Sequence, residues 1–294
     1  MSVPPGGGAP DGGVSVAVFN GHGGVDGWGR PYDFWGAFHR LDADVVVLPE
    51  LFFADGESAA TERAAAPYRL VTTELARARL VRHEPAARAA GRWGPSVVRR
   101  APRALRLEGP PRSRRAALRP AERGMPGVRG SWRLGVATRL PLLDAEVLDL
   151  PQLRRDPARR RAVVVRVGLP GDELVVAGTH LGHISHGAWR QVRALGAALA
   201  GRPVAVIGGD MNCWGAPLLA LLPGWRRAVR ARSWPAWRPH SQIDHLLFRG
   251  PLRVGEAGVL ADAGSDHRPV RARLVPVERD AATTPPGRVH RARP

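Results

Sequence analysis

At 294 residues and 44% hydrophobic content, the chain is long enough to fold as one large domain around a real core. Its longest apolar stretches, such as Asp44 to Leu48 and Leu174 to Ala177, fall far short of the roughly 20 residues a bilayer requires, and the single Cys213 excludes an intramolecular disulfide framework and a cysteine-based structural zinc site. The formal charge of +18 rests wholly on arginine, since the 44 basic residues include no lysine; this partly reflects GC-rich coding bias, but with only 26 acids a positive excess remains that suits a phosphate-rich partner.

Met1 to Gly13 is rich in Gly and Pro and lacks the basic start and apolar stretch of a secretory signal, so a flexible leader and a cytoplasmic location are expected. Val14, Val16 and Val18 then alternate with Ser15, Ala17 and Phe19. Asp44 to Leu48, Ala162 to Val167, Glu173 to Ala177 and Val204 to Ile207 are compact runs suited to buried strands. Between about residues 82 and 133 the chain carries fourteen arginines against three acids (Glu84, Glu108, Glu122), with many prolines and glycines. This Arg-rich insertion reads as loop-rich, either a solvated segment or a basic arm facing the substrate. After His186, Trp189, Val192, Leu195, Ala198 and Leu199 recur near helical spacing, which predicts a helix with Arg190, Gln191 and Arg193 on its surface. Val270, Ala272 and Leu274 alternate with Arg271 and Arg273, predicting a final strand half in the core. Residues 276–294 read as a disordered tail, and 14–275 as one domain, because no linker divides it.

Short polar motifs stand where these strands end, the place where loop backbone is free of the sheet ladder. They are Phe19-Asn20, Leu48-Pro49-Glu50-Leu51, Gly178-Thr179-His180-Leu181, Gly208-Gly209-Asp210-Met211-Asn212, Gln242-Ile243-Asp244-His245 and Ser265-Asp266-His267-Arg268-Pro269. Each alone has a bland reading. Glu50 could cap a strand, Thr179-His180 could be a turn, Gly209-Asp210 an Asx-turn, Asp244 a strand start, and Asp266-His267 a structural loop. Together they are difficult to explain without a shared chemistry.

As an ordered set, Asn20, Glu50, Thr179-His180-Leu181, Gly209-Asp210-Met211-Asn212, Ile243-Asp244-His245 and Ser265-Asp266-His267-Arg268-Pro269-Val270 resemble the endonuclease/exonuclease/phosphatase superfamily. That group contains deoxyribonuclease I-like nucleases, apurinic-site endonucleases, sphingomyelinases and inositol-polyphosphate phosphatases. The resemblance spans about Val14 to Leu274, and its most diagnostic parts are the Gly-Asp-x-Asn turn and the terminal Ser-Asp-His. It implies a four-layer α/β/β/α sandwich of two mixed β-sheets, the deoxyribonuclease I-like fold.

Phosphoesters hydrolyse slowly because a negatively charged phosphate repels an anionic nucleophile and the alkoxide leaves poorly. A catalyst must supply positive charge, an oriented water and help for the leaving group. Glu50 is the hard oxygen ligand suited to Mg2+ or Mn2+; the resemblance sets Asn20 beside it, and Asp266 adds a second carboxylate. Asp210 would orient and deprotonate the attacking water, while Asn212 would donate its amide to a phosphate oxygen. His267 would approach the phosphate from the other side, with Asp244 accepting from its ring and favouring the imidazolium. His180 would be a second contact to the phosphate or leaving group.

Some features depart from the family pattern. Pro49 precedes Glu50 where a glutamine is common, and Gly21-His22-Gly23-Gly24 lacks the acid some nuclease branches carry after the asparagine. Arg139 resembles part of a recurrent strand without an evident role. His180, His183 and His186 have zinc-like spacing but no adjacent Glu of the usual hydrolase motif. Cys213 reads as a packing residue, and Trp234 and Trp237 as packing or as surfaces for a base or sugar.

The expected function is a metal-dependent phosphoester hydrolase, first a nuclease-like phosphodiesterase acting on DNA or RNA as a monomer. A small-molecule or lipid-headgroup phosphatase, or an inactive phosphate- or nucleic-acid-binding module, are the alternatives.

Overall fold

Val14–Val18 (β1) is buried at every position, which a strand achieves only when both faces of its sheet are covered. Val14, Val16 and Val18 enter one apolar cluster, and Ala17 and Phe19 enter another. The same division holds in the computed structural model for Val45–Ala54 (β2) and Arg161–Leu169 (β7). The structure describes residues 12–80, 105–107, 127–154, 156–203 and 205–277.

In chain order, β1 is followed by Phe34–Arg40 (α1), β2, Ser58–Ala65 (α2), Arg69–Leu80 (β3), Leu105–Leu107 (β4), Val128–Thr138 (β5) and Leu142–Asp149 (β6). After β7 come Asp172–His180 (β8), Ala188–Leu199 (α3), Val206–Asp210 (β9), Gly215–Ala220 (α4), Arg226–Arg227 (β10), Asp244–Phe248 (β11), Leu252–Val259 (β12) and Val270–Pro276 (β13). Among the described residues they form a seven-stranded sheet, β12-β13-β1-β2-β5-β3-β4, and a six-stranded sheet, β10-β11-β9-β8-β7-β6. Both are mixed: β1 and β2 pair in parallel, as do β8 and β9, and the other pairs are antiparallel.

The central cluster lies between the sheets, drawing on β1, β2, β5, β7, β8, β9, β11 and β13. Phe38 and Leu41 cover the outer face of the first sheet, while Val192, Leu195, Leu199 and Leu218 cover that of the second. This is the α/β/β/α sandwich. No described helix is long and apolar enough to cross a membrane.

Two sequence expectations need correction. Residues 128–133, read as the end of the loop-rich insertion, are strand: β5 pairs with β2 on one side and β3 on the other. Of the rest of that segment, 105–107 form β4, and 82–104 and 108–126 lie outside the described residues, as do 1–11 and 278–294. In α3, Gln191 is fully buried and Trp189 is exposed, the reverse of the expectation. Gln191 can be buried because its Oε1 accepts from the Gly182 N–H at 2.8 Å and its Nε2 donates to the Pro151 carbonyl at 3.0 Å.

Candidate active site

The parallel pairs bring the ends of β1, β8 and β9 to one rim of the sandwich, and the antiparallel partners bring the starts of β11 and β13 there; Glu50, expected at a strand end, lies inside β2, which continues to Ala54. Asp244 lies opposite Asp210, His180 also pairs with Asp210, and Val270 lies opposite Val18. Asn20, His180, Asp210, Asp244 and His267 are all buried on this rim.

Glu50 reaches the rim through an irregularity in β2. The register against β5 shifts between Leu48 and Leu51, and Pro49 at that bulge has no N–H to contribute to the ladder. Its carbonyl is free to accept from His180 Nδ1 at 3.2 Å.

Asp210 stands at the centre. Its Oδ2 accepts from Asn20 Nδ2 at 3.0 Å, and its Oδ1 accepts from the Asn212 N–H at 2.9 Å. Asn212 makes that turn with a φ of 48°, a conformation asparagine tolerates. Just before it, a Cβ on Gly209 would collide with the Thr179 carbonyl, so only glycine lets β9 run this close to β8. Burial, then the charge of Asp244, pushes the Asp210 carboxyl up to about 7.

On one side of Asp210, His180 Nε2 lies 3.7 Å from both Asp210 Oδ2 and Glu50 Oε1. Burial, and then the Arg160 charge, holds this imidazole well below its ordinary value, so it is neutral. Since a carbonyl only accepts, Nδ1 carries the proton and Nε2 presents a lone pair. Such a ring can accept from Asn212 Nδ2, 3.5 Å away, or bind a cation; donating to a phosphate would require the protonation that burial opposes. Asn212 Nδ2 also donates to the Leu181 carbonyl at 3.0 Å, so a phosphate would compete for its amide hydrogens.

On the other side, His267 Nδ1 donates to Asp244 Oδ2 at 2.8 Å and its Nε2 lies 4.0 Å from Asp210 Oδ2. Burial opposes charge on this ring, but Asp244, Asp266 and Asp210 outweigh it and hold His267 well above its ordinary value. It is an imidazolium at neutral pH. The Glu50 carboxyl is raised, by burial first, with the Asp266 carboxylate adding to the effect. Two clusters among the described residues could hold a cation: Glu50, His180 and Asp210, and Asp210, Asp244 and His267.

Several supports come from residues to which the sequence assigned no role, although Ser265 stands in the terminal Ser-Asp-His motif. Ser233, eleven residues before Asp244, donates its hydroxyl to Asp244 Oδ2 at 2.6 Å. Ser265 donates to the Asn20 carbonyl at 2.7 Å, joining the last motif to the first. His22 Nδ1 approaches Asp266 Oδ1 to 3.4 Å; its place two residues after Asn20 was the available signal. Arg160 is paired with Asp156 at 2.7 Å and lies over the Trp132 ring, whose plane meets the His180 ring edge-on at 5.2 Å.

The remaining candidates fall elsewhere. Arg139 binds Asp42 at 2.7 Å and Asp44 at 3.0 Å, just before β2 begins and away from Glu50. His183 and His186 contact each other on an exposed loop and join neither cation-holding cluster. Cys213 is buried, with burial pushing its thiol up, which leaves it a poor nucleophile. The Trp234 ring centre lies 6.4 Å from that of His267, while Trp237 is exposed.

The fold recurs in solved structures. A protein described as an endonuclease/exonuclease/phosphatase from Beutenbergia cavernae superposes with a TM-score of 0.59 at 19% identity, over 90% of this chain and 72% of the other. D. rerio TDP2 complexed with single strand DNA product gives 0.54 at 14%, over 89% and 98%. The human Nocturnin catalytic domain with bound sulfate anion gives 0.57 at 13%, over 90% and 94%. No curated protein matches the sequence. Residues 24–267 match the model of the Endonuclease/Exonuclease/phosphatase family, and the chain belongs to that family.

Proposed function

We propose that the chain is a metal-dependent phosphodiesterase of nuclease type, with Asp210 as the general base and His267 as the cationic contact to the phosphoryl group. The observation that carries this reading is the placing of Asp210 between two differently charged histidines, neutral His180 and the His267 imidazolium. The arginine excess of the chain supports a nucleic-acid substrate. A fold neighbour, D. rerio TDP2, complexed with single strand DNA product supports it further.

The donor set fits a hard divalent cation. Glu50, Asp210, Asp244 and Asp266 crowd one rim, the Glu50 and Asp210 carboxyls are both raised, and Asp244 Oδ1 is buried without a hydrogen-bond partner. Glu50, with Asn20 and Asp266, would hold Mg2+ or Mn2+, and the His180 Nε2 lone pair lies within reach of the same carboxylate. When bound, the cation supplies positive charge to the phosphoryl oxygens and the leaving oxygen.

The chain's own groups perform the rest. Asn20 and the Asn212 N–H fix both Asp210 oxygens, so the carboxylate is oriented before substrate arrives. Asp210 takes a proton from water as the water oxygen bonds to phosphorus. The bond from phosphorus to the leaving oxygen breaks, and that oxygen gains its proton from solvent. His267 donates from Nε2 to a non-bridging oxygen, while Asp244, held by Ser233, keeps the ring charged and aligned.

The test is a panel of plasmid DNA, an abasic oligonucleotide, a bis-aryl phosphate and inositol phosphates, each with Mg2+ or Mn2+ and with chelator. Metal-dependent cleavage of the nucleic acids or the diester supports the reading. Cleavage restricted to inositol phosphates would select the small-molecule phosphatase, and binding to DNA without any cleavage would select an inactive module.

A further inference from the structure

Among the described residues, four tryptophans are exposed: Trp28, Trp189, Trp214 and Trp237. All four lie in or just beyond the connections that carry the site. Trp28 follows Asn20, Trp189 follows His180 after the turn into α3, Trp214 follows Asn212, and Trp237 precedes Asp244. The buried tryptophans, Trp132 and Trp225, belong to the core clusters instead.

Trp28 and Trp237 are joined to each other and to the site. Their ring centres are 4.8 Å apart with planes inclined at 45°, yet they remain 38% and 39% exposed. Gly27 lies beneath them: a Cβ there would stand 2.8 Å from Trp237 Cζ3 and 3.1 Å from Asp266 Cβ, so Trp237 and Asp266 pack against the same point of backbone. The Ala236 N–H donates to the Asp266 carbonyl at 2.7 Å, tying the Trp237 loop to the Asp266 loop.

The pair is also preorganised. Asp26 Oδ1 accepts from the N–H groups of Trp28 and Arg30, both at 2.9 Å. Asp26 Oδ2 holds the Arg30 side chain at 2.6 Å, and the Arg30 guanidinium lies 5.0 Å from the Trp28 ring centre. Two partly exposed aromatic faces with a fixed guanidinium, beside a site for phosphate chemistry, match the chemistry of an unpaired nucleotide. A base stacks on the rings and an arginine meets the backbone. A membrane surface fits less well, because the described loops bearing these tryptophans expose no leucine, isoleucine or phenylalanine.

We propose that Trp28 and Trp237 form the platform on which an unpaired nucleobase stacks beside the phosphodiester to be cleaved. The proposal rests on the phosphodiesterase reading and makes single-stranded or locally opened nucleic acid the substrate. Stacking on such a platform is tolerant of base identity.

Binding is measured by fluorescence anisotropy on the full chain in chelator, so that the result is independent of turnover. The probes are a short single-stranded oligothymidylate and a base-free sugar-phosphate strand of equal length. The wild type is expected to bind the base-bearing strand about tenfold or more tightly than the base-free one. Trp28→Leu and Trp237→Leu, which keep apolar bulk but lose the ring, should bring that ratio close to one, and Trp237→Phe should restore part of it. Thermal unfolding of each variant checks that the fold persists. Equal affinity of the wild type for the two strands, absence of binding to both, or an unchanged ratio in the folded leucine variants would overturn the platform. So would wild-type binding to anionic phospholipid vesicles that the same variants lose, with no base preference. A base preference that disappears with the rings would support the platform even if the substrate panel showed no cleavage, so the two readings fail separately.

Discussion

His267 and Asp244 form a buried ion pair in which Nδ1 donates to Oδ2 at 2.8 Å, and Ser233 binds the same carboxylate oxygen at 2.6 Å. The ring stands three residues before β13 of one sheet and the carboxylate opens β11 of the other, so the pair joins the two halves of the sandwich at the site.

The pair predicts the basic limb of the pH profile. His267 has a raised value, so its charge is present below the folded pKa and is lost as pH rises through it. The Asp244→Asn variant removes the principal charge that raises it. The fall in kcat/KM on the alkaline side should then begin at lower pH, with kcat reduced about 10–100-fold. The acid limb follows Asp210, which must be ionised: activity should decline as pH falls through about 7. An alkaline limb identical in wild type and Asp244→Asn would remove Asp244 from this role.

Glu50 predicts a separation of stability from function. Its carboxylate is largely buried among other acids, so replacing it with the neutral isostere should not destabilise the metal-free protein. Glu50→Gln should raise the thermal midpoint in chelator while weakening Mn2+ binding in calorimetry by about 10–100-fold. Unchanged Mn2+ affinity would exclude Glu50 as a ligand.

Gly209 predicts a steric limit. Gly209→Ala sets a Cβ against the Thr179 carbonyl, between two paired strands that cannot separate without losing their ladder. A cost of about 1–3 kcal/mol in urea unfolding is expected. A change within about 0.5 kcal/mol, the range of an inconsequential surface substitution, would show that β8 and β9 yield there.

Asp44 predicts acid sensitivity at the end of the sheet remote from the site. Burial would raise this carboxyl, but the Ser15 hydroxyl and N–H and the Arg139 guanidinium together hold it below its ordinary value. A depressed carboxyl contributes stability above its unfolded pKa and loses it as pH falls through the folded value. Asp44→Ala should therefore cost about 1–2 kcal/mol at pH 7, and the difference from wild type should shrink steadily in urea titrations at pH 4 and below. A difference independent of pH would attribute the cost to packing.

The sandwich was legible in the sequence because Val45 to Leu48 and Leu174 to Ala177 are buried on both faces and therefore read as continuous apolar runs. The polar residues ending those runs were conspicuous for the same reason. The first part of β5 was concealed by its composition: Arg129 and Arg133 lie outside the core, and Gly130 fits where a Cβ would strike the Phe53 carbonyl. The exchange of Trp189 and Gln191 depended on acceptors and donors supplied by Pro151 and Gly182, which no local pattern encodes. Likewise, the His180 proton is fixed by a carbonyl 131 residues away, so its acceptor character at Nε2 could not be read from Thr179-His180-Leu181.

The central claim is that Asp210 activates the water and His267 steadies the charge it creates. Its most direct test is the single-turnover rate of cleavage of a nucleic-acid phosphodiester at saturating Mn2+, for wild type, Asp210→Asn and His267→Ala. Each variant should be slower by at least about 100-fold while keeping the wild-type fold and Mn2+ affinity within a few-fold. Cleavage by folded Asp210→Asn at a rate close to wild type would contradict the account.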